Sequence, residues 1–170
     1  KRVKVGFQDL NPRWSTRRAL GAQKTIRTPS VLIFSLDESW ERIAEFPSQP
    51  GAMCTALRFA GSKLLAAFST GHVRVYDVSL AGCSLCAQIN AHARWINALE
   101  VHPTRELFAT VAEDSVVSVW NCPPEGSFSH ASSAVLPDSL LCGVAFIGKG
   151  GDTIAVSAYD QAAIHAWSID

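Results

Sequence analysis

No stretch of this chain is apolar for long enough to cross a bilayer. The longest run, Leu140 to Ile147, falls far short of the ~20 residues a span needs. No charged-then-apolar leader opens the sequence, so neither a membrane segment nor a secretion signal is expected. The first residue is Lys1 rather than methionine, which raises the expectation of processing or of a piece of something longer. Cysteine is sparse and odd in number. Cys54, Cys83, Cys86, Cys122 and Cys142 are scattered through predicted strands and hairpins, a pattern that suits reduced thiols in a cytoplasmic protein better than a disulfide framework.

Chemistry-bearing motifs are missing as well. Cys83-Ser84-Leu85-Cys86 has the spacing of a zinc half-site, but no second pair faces it, and no strand-to-helix context makes it a redox pair. The five histidines, His72, His92, His102, His130 and His165, stand singly and never share the spacing of a metal pair. Gly148-Lys149-Gly150-Gly151 lacks the phosphate-loop spacing and leads into a strand rather than a helix, so it reads as a hairpin loop. With no nucleophile elbow, no paired-carboxylate signal and no metal cluster, the expectation is a noncatalytic protein with no cofactor and no metal.

What is present is enough for a core: 170 residues, 48% of them apolar, suit a globular domain. The zero net charge conceals a split. Residues 1–30 carry eight Lys or Arg against Asp9 alone, a net +7, and the rest of the chain carries −7. This asymmetry reads as a basic arm or inter-strand insertion, with Arg13, Arg17, Arg18, Lys24 and Arg27 at its centre, attached to an acidic body. The arm has few aromatics and no repeated Arg-Gly, so nucleic-acid readout is not indicated beyond charge.

Self-similarity organises the remainder. The segments beginning at Leu57, Leu99 and Val144 align, those starts lying 42 and 45 residues apart. Tyr76, Trp120 and Trp167 close the segments at spacings of 44 and 47. Each unit offers three short alternating strands with Gly, Ser or Asp between them, followed by a return strand. A period in the forties built this way predicts four-stranded propeller blades and an all-β fold. With strands named a to d from the axis outward, residues 31–46 read as strands c and d of one blade, 53–89 and 95–136 as complete blades, and 141–170 as strands a to c of a last one. An unpaired outer edge would remain, to be closed by an absent segment or by residues such as Val3 to Phe7.

The segment AHARWINALEVHPTRELFATVAEDSVVSVWN resembles a WD repeat, with Ala91-His92 where that family has Gly-His and Trp120-Asn121 where it has Trp-Asp. The resemblance to WD-repeat β-propellers covers residues 31–170 and implies about half of a seven-bladed ring. It also implies a polar tetrad, in which Asp114 holds His92, whose ring links to the Thr110 hydroxyl and on to the Trp120 indole nitrogen. The neighbouring repeats depart from this pattern. The first has Tyr76 for Trp and Thr70-Gly71 where the Asp belongs, and the last has Val156 at the hydroxyl position.

In such a ring the d-to-a and b-to-c loops share one face, where partners are usually recognised. The residues expected there are Gln49 to Ala52, Thr70, His72, Arg94, Trp95, Glu113, Ser115, Asp138, Tyr159 and Gln161. Trp95 precedes a strand whose inward position is taken by Ile96, so its ring should face solvent or a partner, and Trp and Arg are enriched at binding hot spots. The expected function is a noncatalytic interaction scaffold that binds other proteins within a multiprotein assembly, together with the missing remainder of the propeller. An alternative is a structural component of a cytoskeletal or ciliary assembly docked through the basic arm.

Overall fold

A computed structural model describes residues 3–8, 30–35, 42–79 and 82–169. The chain divides into two compact units, Lys1–Met53 and Cys54–Asp170.

The first unit holds one antiparallel sheet in the order β1-β2-β3, formed by β1 (Val3–Gln8), β2 (Ser30–Ser35) and β3 (Arg42–Pro47). Val31, Leu32 and Ile33 of the central strand are buried. Val3–Gln8, within the stretch expected as a basic arm or inter-strand insertion, is a strand: Val3, Val5 and Phe7 alternate with Lys4 and Gly6, and it pairs along β2 from Val3↔Ser35 to Gln8↔Ser30. The sheet thus has a third strand beside the two expected from residues 31–46. Arg13, Arg17, Arg18, Lys24 and Arg27 lie outside the described residues.

The second unit is built from three antiparallel sheets. One contains β4 (Cys54–Ala60), β5 (Lys63–Phe68), β6 (His72–Ser79) and β7 (Gly82–Asn90) in sequence order. The next contains β8 (Ile96–Val101), β9 (Leu107–Ala112), β10 (Val116–Asn121) and β11 (Ser129–Val135). The third holds β12 (Leu141–Ile147), β13 (Thr153–Ala158) and β14 (Ile164–Ser168). Innermost strand β8 packs against both β4 and β12, so the sheets stand side by side as blades, joined at their inner edges.

Strand β9 shows why this sequence makes blades and not a two-layer sandwich. All six of its residues are buried, which a half-solvated strand could not satisfy. Alternate side chains point to opposite faces. Phe108 and Ala112 therefore join Leu65, Val73, Val75, Ile96 and Leu99 in one core. Leu107, Ala109 and Val111 join Val117, Val119, Leu141, Ile154 and Val156 in a second core on the other side. The middle blade is thus sandwiched by its neighbours.

Outer strand β7 starts earlier than the predicted return strand and carries the cysteine pair. The ladder with β6 shifts register between Val75 and Tyr76, leaving Cys86 as the extra residue of a bulge. Its thiol donates to the Val75 carbonyl at 3.2 Å. No group of three or more potential metal ligands occurs among the described residues.

Candidate interaction face

The loop face begins from one buried polar node. His92 sits in the link from β7 to β8, with its side chain fully shielded from solvent. Its Nδ1 lies 3.0 and 3.1 Å from the two Asp114 carboxylate oxygens, and its Nε2 lies 2.8 Å from the Thr110 hydroxyl. Burial pushes the imidazole pKa below its ordinary 6.5, against the opposing pull of Asp114. The ring is therefore neutral: Nδ1–H donates to Asp114, and Nε2 accepts from Thr110. Asp114 also accepts the backbone N–H groups of Ala93 (3.0 Å) and Val116 (3.2 Å). A single carboxylate thereby ties the β9–β10 turn to the preceding link, and each buried polar group in the node finds a partner.

The fourth member implied by the resemblance does not join. Trp120 Nε1 is buried without a hydrogen-bond partner among the described residues. Thr110 lies opposite Ser118 and Trp120 opposite Phe108, so the indole is diagonal to the Thr110 hydroxyl. The indole stacks on Phe108 at 6.3 Å and meets His130 edge-on at 5.2 Å, a packing role rather than a hydrogen-bonding one.

From the node, hydrogen bonds run across the loops of the second unit. The Gly71 carbonyl accepts the N–H groups of Ala91 (3.0 Å) and His92 (2.9 Å), and Glu113 N–H donates to the Trp95 carbonyl at 3.0 Å. Ser115 Oγ donates to the Ser139 carbonyl (2.8 Å) and accepts from Ser139 N–H (3.2 Å). Gln161 Nε2 donates to Ser139 Oγ at 2.9 Å, and Tyr159 N–H donates to the Leu140 carbonyl at 2.7 Å. These bonds assemble a rim from three strand b-to-c turns and two inter-blade links. Thr70 and His72 also belong to it, their side chains 3.0 Å apart.

On this rim stand Trp95 and Leu140, each 44% exposed, and Tyr159, 70% exposed. Arg94 beside Trp95 is exposed too. Ser139 and Leu140 had no sequence signal. Ser139 is one polar residue among many in a turn, and its importance comes only from the approach of Ser115 and Gln161. At the opposite end of the sheets a second histidine, His102, is buried. Its Nδ1 accepts the N–H groups of Thr104 (3.1 Å) and Arg105 (2.8 Å), which leaves Nε2–H to donate to the Gly151 carbonyl of the next blade at 3.0 Å. It is a structural clasp between blades.

Radial four-stranded sheets, burial on both faces of a middle blade and a His–Asp–Thr node at the blade link define a partial WD-repeat β-propeller. Solved propellers share the architecture. The Cps50 (Swd1) β-propeller domain of Myceliophteria thermophila superposes with a TM-score of 0.70 at 17% identity, over 82% of this chain and 49% of that one. A chain of the mitotic checkpoint complex gives 0.70 at 17% identity, over 84% and 44%. The computationally designed Ika4 protein gives 0.67 at 16% identity, over 83% and 80%.

The family model WDR54 matches residues 38–169, and this chain belongs to that family. WD repeat domain 54 of Rattus norvegicus is 34% identical over 128 residues, 72% of this chain and 36% of that protein. WD repeat-containing protein 54 of Mus musculus is 34% identical over 119 residues, 67% of this chain and 35% of that protein. The human protein of that name is 30% identical over 123 residues, 69% and 36%. The chain thus spans about a third of the length of these relatives.

Proposed function

We propose that this chain is a noncatalytic interaction scaffold whose loop face binds other proteins. One observation carries the reading: exposed Trp95, Leu140 and Tyr159 stand on a rim held by backbone and side-chain hydrogen bonds. Apolar and aromatic side chains on a rigid frame lose little conformational freedom on binding, which is what makes an anchor effective. The buried groups that might otherwise do chemistry are already engaged, His92 with Asp114 and Thr110, and His102 with backbone. Family membership supports the same reading.

The test is a double substitution, Arg94→Ala with Trp95→Ala, in the full chain. Both side chains are exposed, so the fold should survive, with an unchanged thermal midpoint. Partner capture in quantitative pull-downs should drop by about tenfold, the scale of one hot-spot anchor. An unchanged set and amount of bound proteins would remove this face as the binding surface.

A further inference from the structure

The sign of the charge on the rim narrows the partner further, given the reading that this face binds proteins. Glu113, Asp138 and Asp160 lie on it, with Asp138 and Asp160 exposed and Glu113 partly so. None of the three has an ion-pair partner among the described residues, in which Arg42 pairs with Glu45, Arg58 with Glu100 and Lys63 with Asp77. Asp114 adds a fourth carboxylate, and its histidine is neutral. Among the described residues one cation, Arg94, stands on the rim against them. The described part of this face is therefore net acidic and also carries exposed apolar side chains.

Two of the three free carboxylates occupy costly backbone. Asp138 and Asp160 have φ values of 55° and 57°, a region non-glycine residues rarely enter, although Asp tolerates it better than most. Their turns are tethered by neighbouring bonds, Asp138 through Ser139 and Asp160 through Tyr159. The backbone that presents the two carboxylates is thus fixed by its turns, which favours charge recognition at a set spacing.

We propose that the rim recognises a basic protein segment with an apolar anchor: Lys or Arg side chains meet Glu113, Asp138 and Asp160, while a Leu-like or aromatic side chain sits among Trp95, Leu140 and Tyr159. Complementary charge speeds encounter and selects the partner, and the apolar contact supplies most of the residence time.

Fluorescence anisotropy on the full chain tests this with three labelled peptides of equal length. The first alternates Lys and Arg with Ala around a central Leu, the second replaces the cations by Glu, and the third keeps the cations but replaces Leu by Ser. Only the first should bind well, and raising NaCl from about 50 to about 500 mM should weaken it by roughly tenfold. The triple variant Glu113→Gln, Asp138→Asn, Asp160→Asn should weaken it by a similar factor. Asn keeps the tolerance for positive φ at both turns, and an unchanged melting curve shows that the fold is intact.

Equal binding of the Glu peptide, or no effect of the triple variant, would overturn the charge assignment. Absence of peptide binding while Arg94→Ala/Trp95→Ala still abolishes partner capture would overturn this inference and leave the binding face standing. Tight binding of the Ser peptide would overturn the apolar anchor.

Discussion

His92 is the residue on which the link between the first two blades of the second unit turns, and its protonation has a definite sign. Its native pKa lies below the ordinary 6.5 because burial disfavours the cation. Between those two values the unfolded chain binds a proton that the native chain does not. The stabilisation is therefore complete above about pH 6.5 and fades as pH falls toward the native value, by at most about 1.4 kcal/mol per pH unit. Chemical denaturation of the wild type and of His92→Asn at several pH values checks this: the slope below pH 6.5 should flatten in the variant. Replacing His92 by Ala leaves Asp114 and Thr110 short of a partner and should cost roughly 1–3 kcal/mol. Trp120→Phe offers a contrast. Its indole N–H has no partner to lose, so removing that donor offsets part of the lost packing, and the cost should stay near 1 kcal/mol by thermal melting.

Among the turns and strands, two glycines with similar backbone have different surroundings. Gly71 has φ +80°, and a Cβ there would collide with the His92 carbonyl oxygen. Gly61 has φ +60° with nothing within 4 Å of such a Cβ. Gly71→Ala should therefore cost about 3 kcal/mol, combining strain and collision, while Gly61→Ala should cost about 1 kcal/mol from strain alone. Paired urea titrations decide it. The Gly71 collision could not be read from the sequence, because Thr70-Gly71 registers there only as a missing Asp. The elements themselves were legible wherever turn chemistry and alternation agreed. Val116–Asn121 is a strand after the Glu113-Asp114-Ser115 turn, and Gly148–Gly151 joins β12 to β13. Legibility failed where a stronger local signal hid a weaker one. The alternation of Val3 to Phe7 showed a strand without showing that β2 is its partner, and the family resemblance implied an indole bond that Trp120 does not make.

For the molecule as a whole, cooperativity comes from β9, which supplies side chains to both cores of the second unit. Phe108→Ala opens a cavity between the first two blades of that unit and should cost roughly 3–5 kcal/mol. Because β9 also supplies the other core, the loss should appear as one shifted transition in calorimetry of the full chain for Cys54–Asp170, not as a separately melting blade. The all-β repeat was legible at this scale because a period in the forties survives local degeneracy. Which loops approach one another was not, since bonds such as Ser115–Ser139 span 24 residues and depend on how blades stack. The two-sided burial of β9 also divides the chain's evolvability. A charged substitution at any of its six positions would have no route to water, while exposed turn positions other than Asp114, Ser115 and His102 carry no such burden, so lineages carrying this module should diversify at those tips and stay almost silent in the spokes.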